Sequence, residues 1–374
     1  MTRVLLAPDK FKGTLTAAAV AEHLIAGIRS ERPEVEVVVV PVSDGGDGLL
    51  DALGRAGFTD VPVRASGPTG VPGETRYVRR GSEAVIEMAE VCGLARLPGG
   101  ELAPATATSR GVGEVVAAAL EAGCTEILVG VGGSASTDGG AGMVRALGAR
   151  VLDADGAELE EGGTALARVA RLDLTGLHPR LAAATISLAC DVDNPLTGPN
   201  GAAAVYGPQK GADPDLVARL DHALTAWADV LASTTGRDLR ETPGSGAAGG
   251  IGLGAMAVLG ARLCPGAAMV QQLTGLDEAL VGADLAVTGE GSLDAQTLNG
   301  KAPAGVAEAA RRAGVPVVAV AGQCLLDSAA LTGAGIRAAF ALVDEASSPE
   351  EPFDAPGPLL ERLGARIATE ELER

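Results

Sequence analysis

Continuously apolar segments alternate along this chain with Ala-rich helical patterns, and this alternation restricts the fold. The apolar segments are RVLLAP (3–8), VEVVVVPV (35–42), ADLAVTG (283–289), PVVAVAG (316–322) and IRAAFALV (336–343). Helical patterns at 15–30 and 302–314 follow the first and third of them. Strands without a polar face must be covered on both faces, so the pattern predicts a parallel sheet with helices on both sides.

The middle of the chain has a different pattern. It predicts a hairpin leading into a helix at 77–90, strands at 126–133 and 185–192, a polar hairpin at 152–163 and a long helix at 214–236. A length of 374 residues fits two domains. We therefore expect an α/β protein in which residues 1–70 plus 280–374 form a doubly wound parallel-sheet domain of the Rossmann/flavodoxin-like type. Residues 71–279 would form an inserted mixed α/β domain, with the active site in the cleft between the two.

Composition excludes several classes of function. The formal net charge of −19 argues against nucleic-acid binding, which depends on neutralising phosphates with Lys and Arg. The five cysteines contain no CxxC pair, which fits reduced thiols better than a disulfide framework. The N-terminal residues lack the apolar run of a signal peptide, and no apolar stretch approaches the length of a membrane span. We expect a cytoplasmic protein that binds neither nucleic acid nor membranes.

Five Gly-rich or acidic loops follow predicted strands. They are PDKFKGT (8–14), SDGGDG (43–48), GGSASTDGGAG (132–142), DVDNPLTGPNGAA (191–203) and TGEGSLDAQTLNGKAP (288–303). Ligands of open parallel sheets bind outside the carboxyl ends of the strands. Glycines there let the backbone approach phosphate oxygens, and carboxylates beside them suit Mg²⁺. Together these parts are typical of phosphoryl transfer.

Each loop alone also has a plain structural interpretation as a turn or a helix cap. Other motifs fail their tests. GSGAAG (244–249) matches GxGxxG but follows no strand and lacks the acidic residue about 20 positions on, so it is no dinucleotide fingerprint. The chain has no GxxxxGK[ST] sequence and no protein-kinase signature set. The three histidines have no metal-ligand spacing, so catalysis would use carboxylates as bases.

The loop motifs, taken in order along the chain, resemble one family. They are APDKFKGTLTA, SDGGDG, IEMAEVCGL, ATSRGVGE, GVGGSASTDGGAGM, ACDVDNPLTGPNGAAAVYGPQKGA, PGSGAAGGIG and TGEGSLDAQTLNGKAP. This series is similar to that of the bacterial glycerate kinases of the type I fold and covers nearly the whole chain. The chain departs from the family pattern at Asp47, where a Glu is usual, and at Ser292, where an Arg is usual.

The resemblance implies ATP-dependent phosphorylation of D-glycerate with Mg²⁺, and 2-phosphoglycerate as the usual product of bacterial members. Asp191 is the first choice for general base, because it opens the most specific motif, and Asp193 is the alternative. Lys10 and Lys12 would neutralise phosphate or the glycerate carboxylate, and Glu290 and Asp294 would hold Mg²⁺. The expected substrate and phosphate site consists of Asp44, Asp47, Gly132, Gly133, Ser134, Asp138, Gly139, Gly140, Asn194 and Lys301.

Other functions stay open at this point. The product could be 3-phosphoglycerate, or the substrate another small hydroxy acid. A phosphatase would use the same acid-rich loops without ATP, and a non-catalytic sugar-acid sensor would need loss of catalytic residues, which the motifs do not show. The sequence does not fix the oligomeric state and leaves a homodimer open.

Overall fold

A computed structural model describes residues 2–11, 13–43, 48–54, 56–299 and 301–372. The chain forms two compact units. The first consists of Met1–Asp44, Asp51–Ala56 and Ala267–Arg374, and the second of Gly45–Leu50 and Gly57–Gly266.

The strands lie in both units. They are β1 (Arg3–Pro8), β2 (Glu36–Val39), β3 (Thr59–Ser66), β4 (Pro72–Arg80), β5 (Glu83–Glu87), β6 (Glu126–Gly130), β7 (Arg150–Leu152), β8 (Arg171–Asp173), β9 (Thr185–Ala189), β10 (Arg262–Cys264), β11 (Leu285–Leu293), β12 (Val317–Cys324) and β13 (Ala338–Ala341).

The helices connect these strands. They are α1 (Ala17–Glu31), α2 (Leu49–Leu53), α3 (Ala89–Cys92), α4 (Arg110–Glu121), α5 (Ala141–Ala146), α6 (Ala202–Tyr206), α7 (Pro214–Thr235), α8 (Ala247–Gly254), α9 (Gly266–Thr274), α10 (Leu276–Leu280), α11 (Ala302–Ala313), α12 (Ser328–Gly333), α13 (Leu342–Glu345), α14 (Glu351–Asp354) and α15 (Pro356–Glu370). Short 3₁₀ turns include Pro208–Lys210 and Thr297–Asn299, and a π-helical turn covers Ala255–Leu259.

The first unit is doubly wound. Within its described residues, five parallel strands lie in the order β13-β12-β11-β1-β2. Successive residues of β1 face opposite sides: Leu6 packs in the cluster that contains α1 and α15, and Leu5 in the cluster that contains α10 and α11. The two-sided apolar strands are therefore covered on both faces, which confirms the predicted parallel sheet.

The second unit contains a mixed sheet. In its described part, six strands lie in the order β10-β9-β6-β5-β4-β3, with β5, β6, β9 and β10 parallel and β3 and β4 antiparallel. The strands β7 and β8 form a separate antiparallel pair. The fold is therefore the α/β class expected from the sequence, with a parallel sheet in one unit and a mixed sheet in the other.

Two segments differ from the sequence-based expectations. Residues 59–66 fall in the expected first domain (1–70), but they form β3, which pairs with β4 of the second unit. The stretch from residue 288 was expected to be a loop, yet β11 continues to Leu293 and pairs with β12 over most of that length. Close approach explains the extension, since a Cβ at Gly289 would lie 2.3 Å from the Val320 carbonyl oxygen.

Two further findings concern the whole described chain. All five cysteines are free thiols, with Cys92 and Cys124 buried. None of the described helices has the length and apolar character needed to cross a membrane.

Candidate functional site

The first unit has a topological switch point between β1 and β11. The strand that follows β1, β2, lies on one side of this point, and the strands that follow β11, β12 and β13, lie on the other. The helices of the two halves cover opposite faces of the sheet. The Asp9 N–H donates to the Gly289 carbonyl oxygen at 2.8 Å, which joins the two strand ends. In sheets of this kind, ligands bind in the crevice at the switch point. Lys10 follows β1 at this edge and is half-buried.

Carboxylates and a lysine lie at the end of β11. Glu290 accepts a hydrogen bond from the Thr297 hydroxyl at 2.5 Å, and the Lys301 ammonium lies 3.7 Å from its other carboxylate oxygen. Asp294 accepts from the N–H groups of Gln296 and Thr297 at 2.8 and 3.3 Å, which caps the short 3₁₀ turn. The structure thus brings Glu290, Lys301 and Asp294 together around Thr297.

The fit of this group to Mg²⁺ is limited. No cluster of three or more His, Cys, Asp or Glu side chains suited to a metal occurs among the described residues. Glu290 already faces the Lys301 ammonium, which competes with a cation for the same carboxylate. The described side chains therefore suit an ion that arrives with most of its oxygen ligands already in place.

Three expected site residues lie outside the described residues. They are Lys12, Asp44 and Asp47. Gly48 and Leu50, which follow Asp44 and Asp47 in sequence, are held by the buried Glu87 carboxylate, which accepts from their N–H groups at 2.8 and 3.1 Å. Sequence reasoning missed Glu87, although it ends a strand and lies in the quoted motif IEMAEVCGL.

In the second unit, the carboxyl end of β6 carries a set of backbone donors. The N–H groups of Gly132, Gly133 and Ser134 donate to no acceptor among the described residues. Gly133 is exposed and has φ +71°, a left-handed conformation that glycine adopts without strain. Successive backbone N–H groups around a residue in this conformation can form an anion-binding concavity. The geometry therefore favours the phosphate-binding role predicted for these three residues.

A buried lysine lies beneath this loop. The Lys210 ammonium donates to the Ser134 hydroxyl at 2.7 Å and to the Ser136 carbonyl oxygen at 2.5 Å, and the residue is 2% exposed. Burial lowers the pKa of Lys210 to about 8, while the charge of Asp138 acts to raise it. Sequence reasoning assigned no role to Lys210, because a lysine in GPQKGA cannot be told from a surface lysine by its neighbours alone.

Asp138 has a structural environment. Its carboxylate is buried and accepts from Ser109 through both the N–H and the hydroxyl at 2.8 Å, and from the N–H groups of Gly140 and Gly142 at 3.2 Å. Burial raises its pKa, and the bonds from Ser109 and Gly142 oppose that shift. Since protein donors already surround the carboxylate, the geometry favours a role in fixing the starts of α4 and α5.

Gly139 and Gly140 also have packing roles. A Cβ at Gly139 would lie 2.4 Å from the Trp227 ring, and a Cβ at Gly140 would lie 3.2 Å from the Ile251 Cα. The Trp227 indole N–H donates to the Gly139 carbonyl oxygen at 2.9 Å, and the Gly139 N–H donates to the Gly249 carbonyl oxygen at 3.0 Å. The glycines of GGSASTDGG and GSGAAGG therefore allow two backbone segments to pack directly against each other.

The loop after β9 holds the two candidate bases. Asp191 accepts from the Gly266 N–H at 2.8 Å, at the start of α9. Asp193 is exposed, and its side chain makes no hydrogen bond or ion pair within the described chain. Asn194 is fixed in orientation: it accepts from the Tyr206 hydroxyl at 2.6 Å and donates to the Asn200 carbonyl oxygen at 2.9 Å.

Comparisons with known proteins agree with this architecture. The model of the glycerate kinase family matches residues 4–370. A glycerate kinase of Bacillus subtilis is 42% identical over 98% of this chain and 97% of its own length. A glycerate 2-kinase of Escherichia coli is 41% identical over 94% of this chain and 93% of its own length. A crystal structure of a Salmonella typhimurium LT2 protein assigned as glycerate kinase 2 matches with a TM-score of 0.87 and 40% identity, covering 98% of this chain and 97% of its own.

A doubly wound sheet with charged residues at its switch point, and a second sheet with a Gly-rich loop at the carboxyl end of β6, fit a phosphotransferase of the α/β class. The chain belongs to the glycerate kinase family. The resemblance seen in the motifs is therefore confirmed, and the protein is a kinase.

Proposed function

We propose that this kinase transfers the γ-phosphoryl group of ATP to the C2 hydroxyl of D-glycerate and releases ADP and 2-phosphoglycerate. The observation that carries the proposal is the near full-length similarity to the Escherichia coli glycerate 2-kinase. In the reaction, the substrate hydroxyl oxygen forms a bond to the γ-phosphorus as the bond to the β,γ-bridging oxygen breaks. The hydroxyl proton passes to a carboxylate.

Lysines at the first sheet's carboxyl edge supply positive charge in this proposal. Lys10 and Lys301 neutralise phosphate oxygens or the glycerate carboxylate, and Lys12 has the same role in the sequence-based prediction. Because the Lys301 ammonium lies 3.7 Å from Glu290 rather than in direct contact, an arriving anion can draw it away at little electrostatic cost. Charge neutralisation and positioning supply most of the rate in phosphoryl transfer.

Asp193 is the favoured proton acceptor. Its exposed carboxylate has no partner within the described residues, whereas Asp191 is engaged by the Gly266 N–H at 2.8 Å. A general base must be able to approach the proton that it removes, and a carboxylate committed to the end of a helix is less able to do so. We therefore propose that Asp193 removes the proton and that Asp191 fixes the loop. Asn194, held by Tyr206, would contact substrate.

Mg²⁺ enters the proposal with the nucleotide. Bound to ATP, it would neutralise charge on the transferring phosphates, with most of its ligands supplied by phosphate oxygens and water. Asp294 and Glu290 are the candidates to contact it. Measuring the rate of Asp294→Asn and Glu290→Gln against Mg²⁺ concentration would show which carboxylate contacts the ion. The variant that lacks the contacting carboxylate should need more Mg²⁺ to reach half of its maximal rate.

The remaining features stay predictions. Asp44 and Asp47 would orient substrate, and the two expected domains would close on ATP and glycerate. Closure would reduce the radius of gyration in X-ray scattering when both ligands are present. A cytoplasmic location, where ATP is available, and a homodimer are further predictions, the latter testable by light scattering.

The direct test of the activity is a ³¹P NMR time course of the purified protein with ATP, Mg²⁺ and D-glycerate. We expect the 2-phosphoglycerate signal to grow as the ATP signals decline. A 3-phosphoglycerate signal would leave the kinase activity but contradict the proposed C2 position. Absence of transfer by folded protein that binds ATP would contradict the proposal, and other hydroxy acids would then be tested in the same assay.

A further inference from the structure

Lysine is rare in this chain. Lys and Arg together number 29, yet lysine occurs only at positions 10, 12, 210 and 301. Three of these four lysines fall in the loops already assigned to phosphate or substrate. Arginine carries the positive charge elsewhere, including the surface ion pairs. Lysine provides a compact ammonium with three donors, which the larger planar guanidinium does not replace. The fourth lysine, Lys210, is therefore of interest although no role has been assigned to it.

Lys210 is also costly to bury. The residue is 2% exposed, and its ammonium makes hydrogen bonds to one hydroxyl and one carbonyl oxygen rather than to a carboxylate. Removing a cation from water disfavours the folded state unless the surroundings compensate. The nearby Asp138 compensates in part, through its charge rather than through a direct bond. The fold thus keeps a buried cation in hydrogen-bond contact with Ser134, the residue that follows the half-buried Gly132 and the exposed Gly133.

The hydrogen bond from Lys210 determines what Ser134 can do. A hydroxyl has one hydrogen to donate. Because the Ser134 oxygen accepts from the Lys210 ammonium at 2.7 Å, its own hydrogen must point to another acceptor. No other described residue accepts from this hydroxyl. Ser134 is itself 6% exposed, and its hydroxyl hydrogen is left to donate to a bound group beside the N–H groups of Gly132 and Gly133.

We infer that Lys210 is a positioning residue for an oxyanion site formed by Gly132, Gly133 and Ser134. It holds the loop through the Ser134 hydroxyl and the Ser136 carbonyl, orients the Ser134 hydroxyl as a donor, and adds positive potential below the bound oxyanion. The inference rests on the proposed kinase function and extends it to a residue that does not touch substrate. The oxyanion has two sources in this reaction, the polyphosphate of the nucleotide and the carboxylate of glycerate.

The single tryptophan gives a direct readout. Trp227 donates its indole N–H to the Gly139 carbonyl in the same loop, at 2.9 Å, and the chain contains no other tryptophan. Intrinsic fluorescence therefore reports binding to the loop without a label. Titrations would use inorganic tripolyphosphate and D-glycerate as separate ligands, on wild type, Lys210→Met and Ser134→Ala. Gln209→Met, an exposed neighbour on the same 3₁₀ turn, and Ser233→Ala on α7 are the matched controls.

The inference predicts that Lys210→Met weakens binding of one oxyanion by about tenfold or more and that Ser134→Ala weakens the same one by a few-fold. The controls should leave both affinities unchanged. Loss confined to tripolyphosphate assigns the site to the nucleotide, and loss confined to D-glycerate assigns it to the substrate carboxylate. Unchanged affinity for both ligands in folded Lys210→Met would overturn the inference.

A pH series keeps the test usable if Lys210→Met fails to fold. The titratable groups near Lys210 are Asp138 and Cys92, and Glu161 acts on Asp138. Burial raises the pKa of the Cys92 thiol, which keeps it neutral while Lys210 titrates. Wild-type affinity for at least one of the two oxyanions should fall as the pH rises through about 8. Constant affinity from about pH 7 to 9 would count against the inference.

The outcome is separable from that of the proposed function. If wild type phosphorylates D-glycerate but Lys210→Met keeps its affinities and its KM values, the inference fails and the function stands. If wild type does not phosphorylate D-glycerate but Lys210→Met loses oxyanion affinity, the site stands and the function fails.

Discussion

The two sheets of this protein carry charge at their carboxyl edges in different ways. At the first edge, Lys301 and Glu290 are 32% and 13% exposed and lie 3.7 Å apart, so solvent screens the pair. At the second, Lys210 and Asp138 are 2% and 1% exposed and are enclosed by backbone groups. Screened charges can move to a ligand, whereas buried charges are fixed by the fold. Substitutions at the first edge should therefore change activity, and those at the second should change stability as well.

The largest expected effect concerns the loop after β9. Asp193→Asn should lower kcat by about 10²–10⁴-fold, because the exposed carboxylate is the proposed proton acceptor. Asp191→Asn should have a smaller effect, since its amide oxygen can still accept from the Gly266 N–H. Steady-state rates with saturating ATP and D-glycerate measure both variants. The reverse order of effects would return Asp191 to the role of base.

A glycine substitution tests the packing of the second edge. Gly139→Ala should reduce the free energy of unfolding by about 3 kcal/mol, because φ is +61° and the new Cβ would lie 2.4 Å from the Trp227 ring. Gly123→Ala is the matched control, since φ is +89° there but no atom lies within 4 Å; it should lose about 1 kcal/mol. Urea unfolding measures both. Equal losses would show that the contact with Trp227 is not tight.

The pH dependence of stability tests the buried lysine. The folded-state pKa of Lys210 is about 8, below its ordinary value of 10.5, so the unfolded chain binds more protons between those values. The contribution of Lys210 to the free energy of unfolding therefore rises with pH between about 8 and 10.5. The free energy of unfolding of Lys210→Met minus that of wild type should fall by about 2 kcal/mol from about pH 7.5 to 10. A constant difference would mean that the lysine has an ordinary pKa in the folded protein.

The smallest expected effect is at the first edge. Lys301→Met should change the free energy of unfolding by less than about 1 kcal/mol, because the lost ion pair is partly exposed and 3.7 Å long. Arg311→Met, which removes an exposed ion pair to Glu308, should behave alike. A loss of several kcal/mol in Lys301→Met alone would place Lys301 with the buried charges.

The sequence predicts the fold well where local pattern and tertiary structure agree. The apolar segments 3–8 and 316–322 form β1 and β12, and the pattern at 214–236 forms α7, capped by Asp213 and Gly236. The extension of β11 through Gly289 and Glu290 was not predictable, because glycine and charge are typical of loops. Pairing with β1 at Gly289 and with β12 through Leu293 makes that segment a strand, and these are tertiary contacts that the local sequence does not report.

The candidate site was harder to predict than the fold. Residue type and position after a strand made Ser134, Asp138 and Asp193 equally good candidates for the site. These two features of the sequence do not show which of the three side chains is buried. Burial separates Asp138, which accepts four hydrogen bonds from the protein, from Asp193, which accepts none within the described chain. Lys210 was missed because its interaction with Ser134 joins segments far apart in sequence.

The most direct test of the proposed division between the two edges is the kcat/KM of Lys10→Met for D-glycerate, measured beside its urea unfolding midpoint. We predict a fall of about 10²-fold or more in kcat/KM, because Lys10 lies at the switch point and is proposed to neutralise charge on the transferring phosphate. The unfolding midpoint should stay at the wild-type value. A kcat/KM within about threefold of wild type would contradict the proposed role of Lys10 in charge neutralisation at the first edge.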